Sequence, residues 1–246
     1  MRKKAHLKVF IFSFALLFAV FLLLNTFNVA YAAASPKIQL CMVIDGSGTI
    51  TDSDWTIIVS AVAKIVNQTI PHDGTVEFAL VQFGNDSNTL ARTELSATII
   101  DNTTYSSVSS HIQQIPKMGG STSIADGIYL AWKELKTSSN YKNAAKHIIN
   151  LATDGIPNVR NRNATRDLDG DGQVNAYDDV IAVVNNSIAQ GLTELDMEQI
   201  GVSDANLWFK ANVVYPQPGT MAPPFTNTGW VRQVASIEEF AKNLHA

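Results

Sequence analysis

The chain has 246 residues, 46% of them hydrophobic, with 18 Lys and Arg against 22 Asp and Glu, a formal net charge of −4. This acidic balance argues against binding nucleic acid through its phosphates, which requires a basic surface. The single cysteine, Cys41, excludes a disulfide within the chain, and its place in an apolar run predicts a buried thiol.

The first predicted element is a signal peptide at residues 1–32. Four basic residues among the first eight precede a nearly continuous apolar run over 9–24, and Ala30 and Ala32 suit positions −3 and −1 of a signal-peptidase site. We predict cleavage after Ala32. Cleavage removes 4 of the 18 basic residues, leaving 14 against 22 acidic ones and a net charge of −8. The protein is then secreted or held at the cell surface; an uncleaved anchor helix, the alternative, would tie it to a membrane.

Apolar runs then alternate with amphipathic stretches, which is typical of a parallel sheet covered by helices. In chain order we predict strand 38–44, helix 52–69, strand 76–83, edge strand 90–95, helices 105–115 and 124–135, strand 147–152, helix 178–190, strand 195–202, helix 204–211, strand 231–235 and helix 237–244. The length left after residue 32 fits one domain. The predicted fold class is α/β, with a Rossmann-like, mostly parallel central sheet flanked by helices.

Five oxygen-bearing side chains follow predicted strands or turns. Asp45, Ser47 and Thr49 come directly after the first strand, Thr122 follows a Gly-Gly turn, and Asp154 follows the strand at 147–152. Parallel α/β sheets bind ligands beyond the carboxyl ends of their strands, so we expect these side chains to converge. Two carboxylates and three hydroxyls suit Mg²⁺, Mn²⁺ or Ca²⁺ rather than zinc. A position in the metal shell would remain for a carboxylate of a bound ligand.

This order of motifs resembles the metal-ion-dependent adhesion site of the von Willebrand factor type A family, also called the integrin I-domain family. The resemblance covers about residues 37–245. Thr49 stands where the family usually has Ser and retains the hydroxyl. The resemblance implies a Rossmann-like sheet with the metal on its upper face. It also implies a protein ligand whose acidic residue completes the metal shell.

A second metal site is predicted within 156–178, inserted after the fourth strand. Residues 167–178 have the spacing of an EF-hand calcium loop, with Asp at positions 1, 3 and 5, Gly at position 6 and an acid at position 12. The predicted Ca²⁺ ligands are Asp167, Asp169, Asp171, the Gln173 carbonyl, Asn175 directly or through water, and Asp178. This loop is similar to the calcium loop of dockerin modules. A dockerin has two such loops, so the single loop does not predict cohesin binding. We expect Ca²⁺ to order the rim of the first site.

The sequence lacks paired histidines at metal spacing and a Gly-x-Ser-x-Gly nucleophile elbow, so we predict no catalytic residues and no enzymatic activity. The favoured function is a secreted, metal-dependent protein-binding or adhesion module that captures an acidic group of its partner. One alternative is a calcium-stabilised structural or accessory component of an extracellular assembly. Another is a metal-dependent hydrolase, for which a convincing general base and a second metal are missing.

Overall fold

Six strands form a single sheet in the computed structural model, which describes residues 35–87, 89–201, 205–223 and 228–243. The predicted signal peptide lies outside the described residues. The strands are β1 Ile38–Asp45, β2 Asp73–Asp86, β3 Thr89–Asp101, β4 Lys146–Thr153, β5 Glu194–Ile200 and β6 Val231–Val234. Their order is β3-β2-β1-β4-β5-β6; β3 is antiparallel to β2, and every other neighbouring pair is parallel. The predicted α/β fold class is confirmed.

Helices cover both faces of the sheet. They are α1 Asp52–Gln68, α2 Tyr105–Ile112, α3 Ile124–Thr137, α4 Ala176–Ala189, α5 Ala205–Asn212 and α6 Ile237–Asn243. Side chains of α1, α2 and α6 form the core on one face, and those of α3, α4 and α5 form the core on the other. Within the described ranges, no helix has both the length and the apolar character needed to cross a membrane.

The central strand β1 is buried on both faces. Successive residues of a strand point to opposite faces, so Cys41 and Val43 join the core with α3 while Met42 and Ile44 join the core with α1. A strand in this position reads as a continuous apolar run, which is why the sequence pattern located it. The buried Cys41 thiol has a pKa well above its usual value, chiefly because burial disfavours the thiolate.

Several element boundaries differ from the predicted ones. β2 and β3 extend well beyond 76–83 and 90–95 because they pair with each other as a long hairpin with register shifts. Pairing between two backbones requires no continuous apolar run, so hydropathy underestimates both strands. α4 begins at Ala176 rather than at 178, since Asn175 and Asp178 form a capping box at its start.

Candidate metal-binding sites

The first candidate site lies where β1 and β4 end side by side. The two strands are in parallel register, with Ile44 opposite Ala152, so Asp45 and Thr153 come next in each strand. The Thr153 hydroxyl donates to Asp45 Oδ2 at 2.5 Å. The Ser47 amide donates to Asp45 Oδ1 at 2.8 Å. Both carboxylate oxygens of this buried side chain are therefore held in place by the ends of two strands.

The remaining predicted residues form a continuous row of oxygens from Asp45. Ser47 Oγ lies 3.1 Å from Thr49 Oγ1, and Thr49 Oγ1 donates to Asp154 Oδ1 at 2.8 Å. Thr122 packs against the residue after Asp154: a Cβ built on Gly155 would lie 3.3 Å from Thr122 Oγ1. The structure thus brings all five sequence-predicted side chains to one edge of the sheet.

Two residues outside the predicted set hold this arrangement. Asn158 exchanges two hydrogen bonds with Thr122, accepting from its amide at 2.9 Å and donating its own amide to the Thr122 carbonyl at 3.2 Å. Gly120, with φ of 72°, accepts from the Gly48 amide at 2.8 Å. A Cβ at Gly120 would lie 2.6 Å from Asn85, so this turn requires glycine. A lone Asn in a polar loop carries no sequence signal that could have identified Asn158.

The electrostatics of this edge suit a cation. Burial raises the pKa of Asp45 to about 6, and the nearby charge of Asp154 adds to the rise, while hydrogen bonds from Thr153 and Ser47 oppose it. In the part of the chain that the structure describes, neither carboxylate forms an ion pair with Lys, Arg or His. Two neighbouring carboxylates without a basic partner repel each other. The donor set is all oxygen, which fits a hard divalent cation.

The second candidate site is the loop at 167–178, which follows β4 and ends in the first turn of α4. Carboxylate oxygens of Asp167, Asp169 and Asp171 lie within 4.8 Å of one another. Gly170 and Gly172 have φ of 83° and 85°, and their amides donate to the two oxygens of Asp167 at 2.6 and 2.8 Å. These amide hydrogen bonds lower the pKa of Asp167. The loop therefore brings its first three predicted ligands together and keeps the first one ionised.

The other predicted ligands of this loop are placed differently. Asp178 is fully buried, and its oxygens accept from the Leu168 amide at 2.5 Å and the Asn175 amide at 2.7 Å. It joins the two ends of the loop and lies outside the cluster of three Asp. The Asn175 side chain donates to Asp171 at 3.0 Å, and the Gln173 amide donates to the same carboxylate at 2.7 Å. The structure does not gather all six predicted ligands around one point.

The segment between β4 and this loop is anchored to the body of the domain by contacts that the sequence pattern did not predict. Buried Asp179 accepts from the backbone amides of Arg162 at 2.7 Å and Ala164 at 2.6 Å. The Arg162 guanidinium pairs with the buried Asp126 and lies 3.8 Å from the ring centre of Tyr129. These contacts fix the segment against α3 and α4.

A further contact connects the loop at 167–178 to α5. The Trp208 indole donates to Asp169 Oδ2 at 3.0 Å, and its ring meets Tyr177 edge-on with 4.6 Å between centroids. Asp169 is the third position of the predicted loop, so one of the predicted calcium ligands is also bound to a side chain of the domain core.

Comparisons with known proteins agree with this architecture. The sequence profile of the von Willebrand factor type A domain matches residues 39–210. No protein with a curated description matches the chain. The pilus adhesin SpaC from Lactobacillus rhamnosus GG superposes with a TM-score of 0.63 at 12% identity, over 86% of this chain and 30% of the adhesin. This chain therefore spans under a third of that protein.

Two further structures share the fold. The manganese-loaded TRAP protein of Plasmodium vivax superposes with a TM-score of 0.55 at 18% identity, over 85% of this chain and 72% of TRAP. Proximal thread matrix protein 1 from the mussel byssus, with zinc in its metal-ion-dependent adhesion site, superposes with a TM-score of 0.59 at 16% identity, over 85% of this chain and 46% of that one. Because the family profile covers most of the domain, the chain belongs to the von Willebrand factor type A domain family.

Proposed function

We propose that this chain is an extracellular binding module that captures an acidic group of a protein partner through a divalent cation. The cation would be held by Asp45, Ser47, Thr49, Thr122 and Asp154. The observation that carries the proposal is the meeting of Asp45 and Asp154 at one sheet edge, connected through Ser47 and Thr49 and lacking an ion-paired base among the described residues.

The class of the cation follows from the donors. Five oxygen side chains without sulfur or nitrogen favour Mg²⁺, with Mn²⁺ or Ca²⁺ as substitutes. Manganese in TRAP and zinc in the mussel protein support a divalent ion at the corresponding edge. When bound, such an ion supplies a positive centre that attracts a carboxylate of the partner. The chain's own residues orient the oxygens: Thr153 holds Asp45, and Asn158 holds Thr122.

We also propose that the loop at 167–178 binds Ca²⁺, chiefly through Asp167, Asp169 and Asp171. The support is the approach of their carboxylate oxygens to within 4.8 Å, which costs repulsion unless a cation lies between them. Contacts of Arg162 with Asp126 and Asp179 hold the segment before this loop against α3 and α4, which supports the proposal that the loop borders the first site. Calcium would then stabilise the surface on which the partner docks.

A peptide-display selection tests the proposal directly. A random peptide library is selected on the immobilised chain in Mn²⁺, bound clones are eluted with EDTA, and the recovered sequences are compared with the input library. We expect enrichment of Asp or Glu, and loss of binding when that acid is changed to its amide. Asp45→Asn should abolish the selected binding, and Asp52→Asn serves as a matched control because the Asp52 side chain is 98% exposed.

The two outcomes separate the functional hypotheses. Failure of EDTA to elute any enriched clone, or peptides that retain binding after their acid is changed to its amide, would contradict capture through a metal. Metal binding without any acid-dependent peptide would favour the alternative of a calcium-stabilised structural or accessory component. Secretion after cleavage at Ala32 and the lack of catalytic activity stay predictions.

A further inference from the structure

A cavity of about 300 Å³ lies on the sheet face that carries α1 and α6, away from both candidate metal sites. Its walls come from β1, β4, β5, Arg232 of β6 with Trp230 just before it, and Ile65 of α1. The volume is at the lower limit of small-molecule sites, about 300–1,000 Å³. The cavity therefore suits a small group rather than a folded partner.

One wall of this cavity is a row of acids. Glu194, Asp196 and Glu198 alternate along β5 and so point to the same face, and all three line the cavity. Ile200, the next residue on that face, packs in the apolar core. If β5 served only for packing, we would expect apolar residues at these three positions too, like Leu195 and Met197 on the opposite face.

The acids of this row are only partly compensated by the protein. Glu194 pairs with Lys146 at 3.3 Å, and Asp196 accepts from the Trp230 amide at 3.2 Å. Asp196 and Glu198 are only 4% and 2% exposed. Glu198 Oε2 is buried and has no hydrogen-bond partner, and the nearest base, Arg232, approaches its other oxygen at 3.7 Å. Asn150, which also lines the cavity, has its Oδ1 buried and without a partner. Buried acceptors without donors are costly, so the cavity offers acceptors to a donor from outside.

The pKa values of two of these acids are raised above the usual range. The pKa of Asp196 is raised to about 9, chiefly by burial, with contributions from the charge of Glu194 and a hydrogen bond with it. Burial also raises the pKa of Glu198 to about 7, against the opposing charge of Arg232. Protons thus occupy a site that a positively charged donor could occupy instead.

The acids are spaced too widely along β5 for all three to bind one metal ion. Alternate residues of a strand are about 6.6 Å apart along its axis, so Glu194 and Glu198 are separated by about 13 Å. Among the described residues, one cluster of three or more acidic, histidine or cysteine side chains is close enough to share an ion, and it lies in the loop at 167–171. Beside the acids on the same sheet face, Leu40 of β1 and Ile148 of β4 provide an apolar surface.

We propose that this cavity binds a primary ammonium group carried on an aliphatic stem, with Glu198 and Asn150 accepting from the ammonium and the apolar wall contacting the stem. Two sources share this chemistry: a free linear amine and a lysine side chain of a partner. An aliphatic diamine would reach a second acid of the row.

Isothermal titration calorimetry on the full chain tests this site with named probes. The probes are 1,4-diaminobutane, the peptide acetyl-Gly-Lys-Gly-amide, and 1,4-butanediol as a neutral isostere. We expect saturable 1:1 binding of at least one amine probe and none of the diol. Binding should release protons, measured as a heat that depends on the ionisation enthalpy of the buffer, because the ammonium displaces protons from the acids.

Variants assign the binding to this cavity. Glu198→Gln should weaken the amine at least about tenfold, the effect of one lost hydrogen bond to a charged group. Glu238→Gln, an equal charge change on an exposed side chain of α6, should leave it unchanged. Asp45→Asn should also leave it unchanged, which separates this site from the proposed metal site. If circular dichroism shows that Glu198→Gln does not fold, Asp196→Asn is used in its place.

The outcomes decide both the site and the source. Binding of the diamine alone would identify the ligand as a free amine. Binding of the lysine peptide alone would identify it as a lysine side chain of a partner. Absence of saturable binding by either amine would overturn the proposal. Equal weakening in Glu198→Gln and Glu238→Gln would overturn it too, because it would reflect only the negative charge of the whole chain.

Discussion

The two candidate metal sites are built in opposite ways. At the first, residues 105 positions apart, Thr49 and Asp154, meet because two parallel strands end together. At the second, Asp167, Asp169 and Asp171 meet within five residues through a local turn. The first owes its geometry to the sheet and has a buried Asp45 with a raised pKa; the second is partly exposed and depends on its own backbone amides.

This difference indicates what a cation contributes at each place. The sheet edge would keep its shape without metal, so metal there supplies charge for binding. The loop holds three repelling carboxylates on a short segment, so metal there supplies stability. The following predictions test that division.

The largest expected effect is on Mg²⁺ or Mn²⁺ affinity in Asp45→Asn. Loss of a buried charge partner costs about 3 kcal/mol, or a decrease in affinity of about 100-fold. Calorimetry with each metal measures it, and circular dichroism should show the fold retained. Unfolding of this variant in EDTA would contradict a site whose shape is independent of metal; Asp52→Asn is the control.

The second effect concerns stability of the loop. At about thirtyfold excess of Ca²⁺ over its Kd, binding to the native state adds about 2 kcal/mol to the free energy of unfolding. We expect a higher Tm in Ca²⁺ than in EGTA, and trypsin cleavage after the exposed Arg166 only in EGTA. Asp171→Asn should remove both differences. Identical melting and cleavage in the two buffers would refute calcium ordering of this rim.

The third effect is a contrast in pH dependence. The pKa of Asp45 is raised to about 6, so lowering the pH from 7.5 to 5 protonates it and weakens metal at the first site by about tenfold. The pKa of Asp167 is lowered, so that carboxylate stays charged at pH 5 and Ca²⁺ affinity of the loop changes little. Parallel titrations at the two pH values measure both. Equal weakening of metal binding at both sites would contradict the proposed difference between them.

The smallest effect is expected from Trp208→Phe. The ring contact with Tyr177 is kept, but the hydrogen bond to Asp169 is lost, which costs about 1 kcal/mol. Calcium affinity should change by about fivefold or less, while metal affinity at the first site stays constant. Trp132→Phe is a comparison variant, since the Trp132 indole donates instead to Gln190. A large effect on the first site would show that the two sites are coupled through α5.

Much of the fold could be predicted because it depends on local patterns. Every described strand and helix overlaps a predicted one, since buried strands and amphipathic helices have characteristic periodicity. The long β2–β3 hairpin was underestimated because its ends are held by pairing rather than hydrophobicity. The five residues of the first site could be predicted because their positions at strand ends follow from the topology. Asn158 and Trp208 could not, since neither follows directly on a strand or belongs to a spaced motif, and their partners are 36 and 39 residues away.

The sequence by itself determined which oxygen donors exist and how they are spaced: Asp45, Ser47 and Thr49 in one loop, and alternate Asp residues in another. Only the tertiary structure decided which acids are compensated. Glu77 and Glu198 are both 2% exposed, yet Glu77 accepts hydrogen bonds from Gln39, Ser138 and Asn140, while Glu198 Oε2 accepts none. Burial and hydrogen-bond donors come from segments distant in the chain, so no local pattern distinguishes the two glutamates.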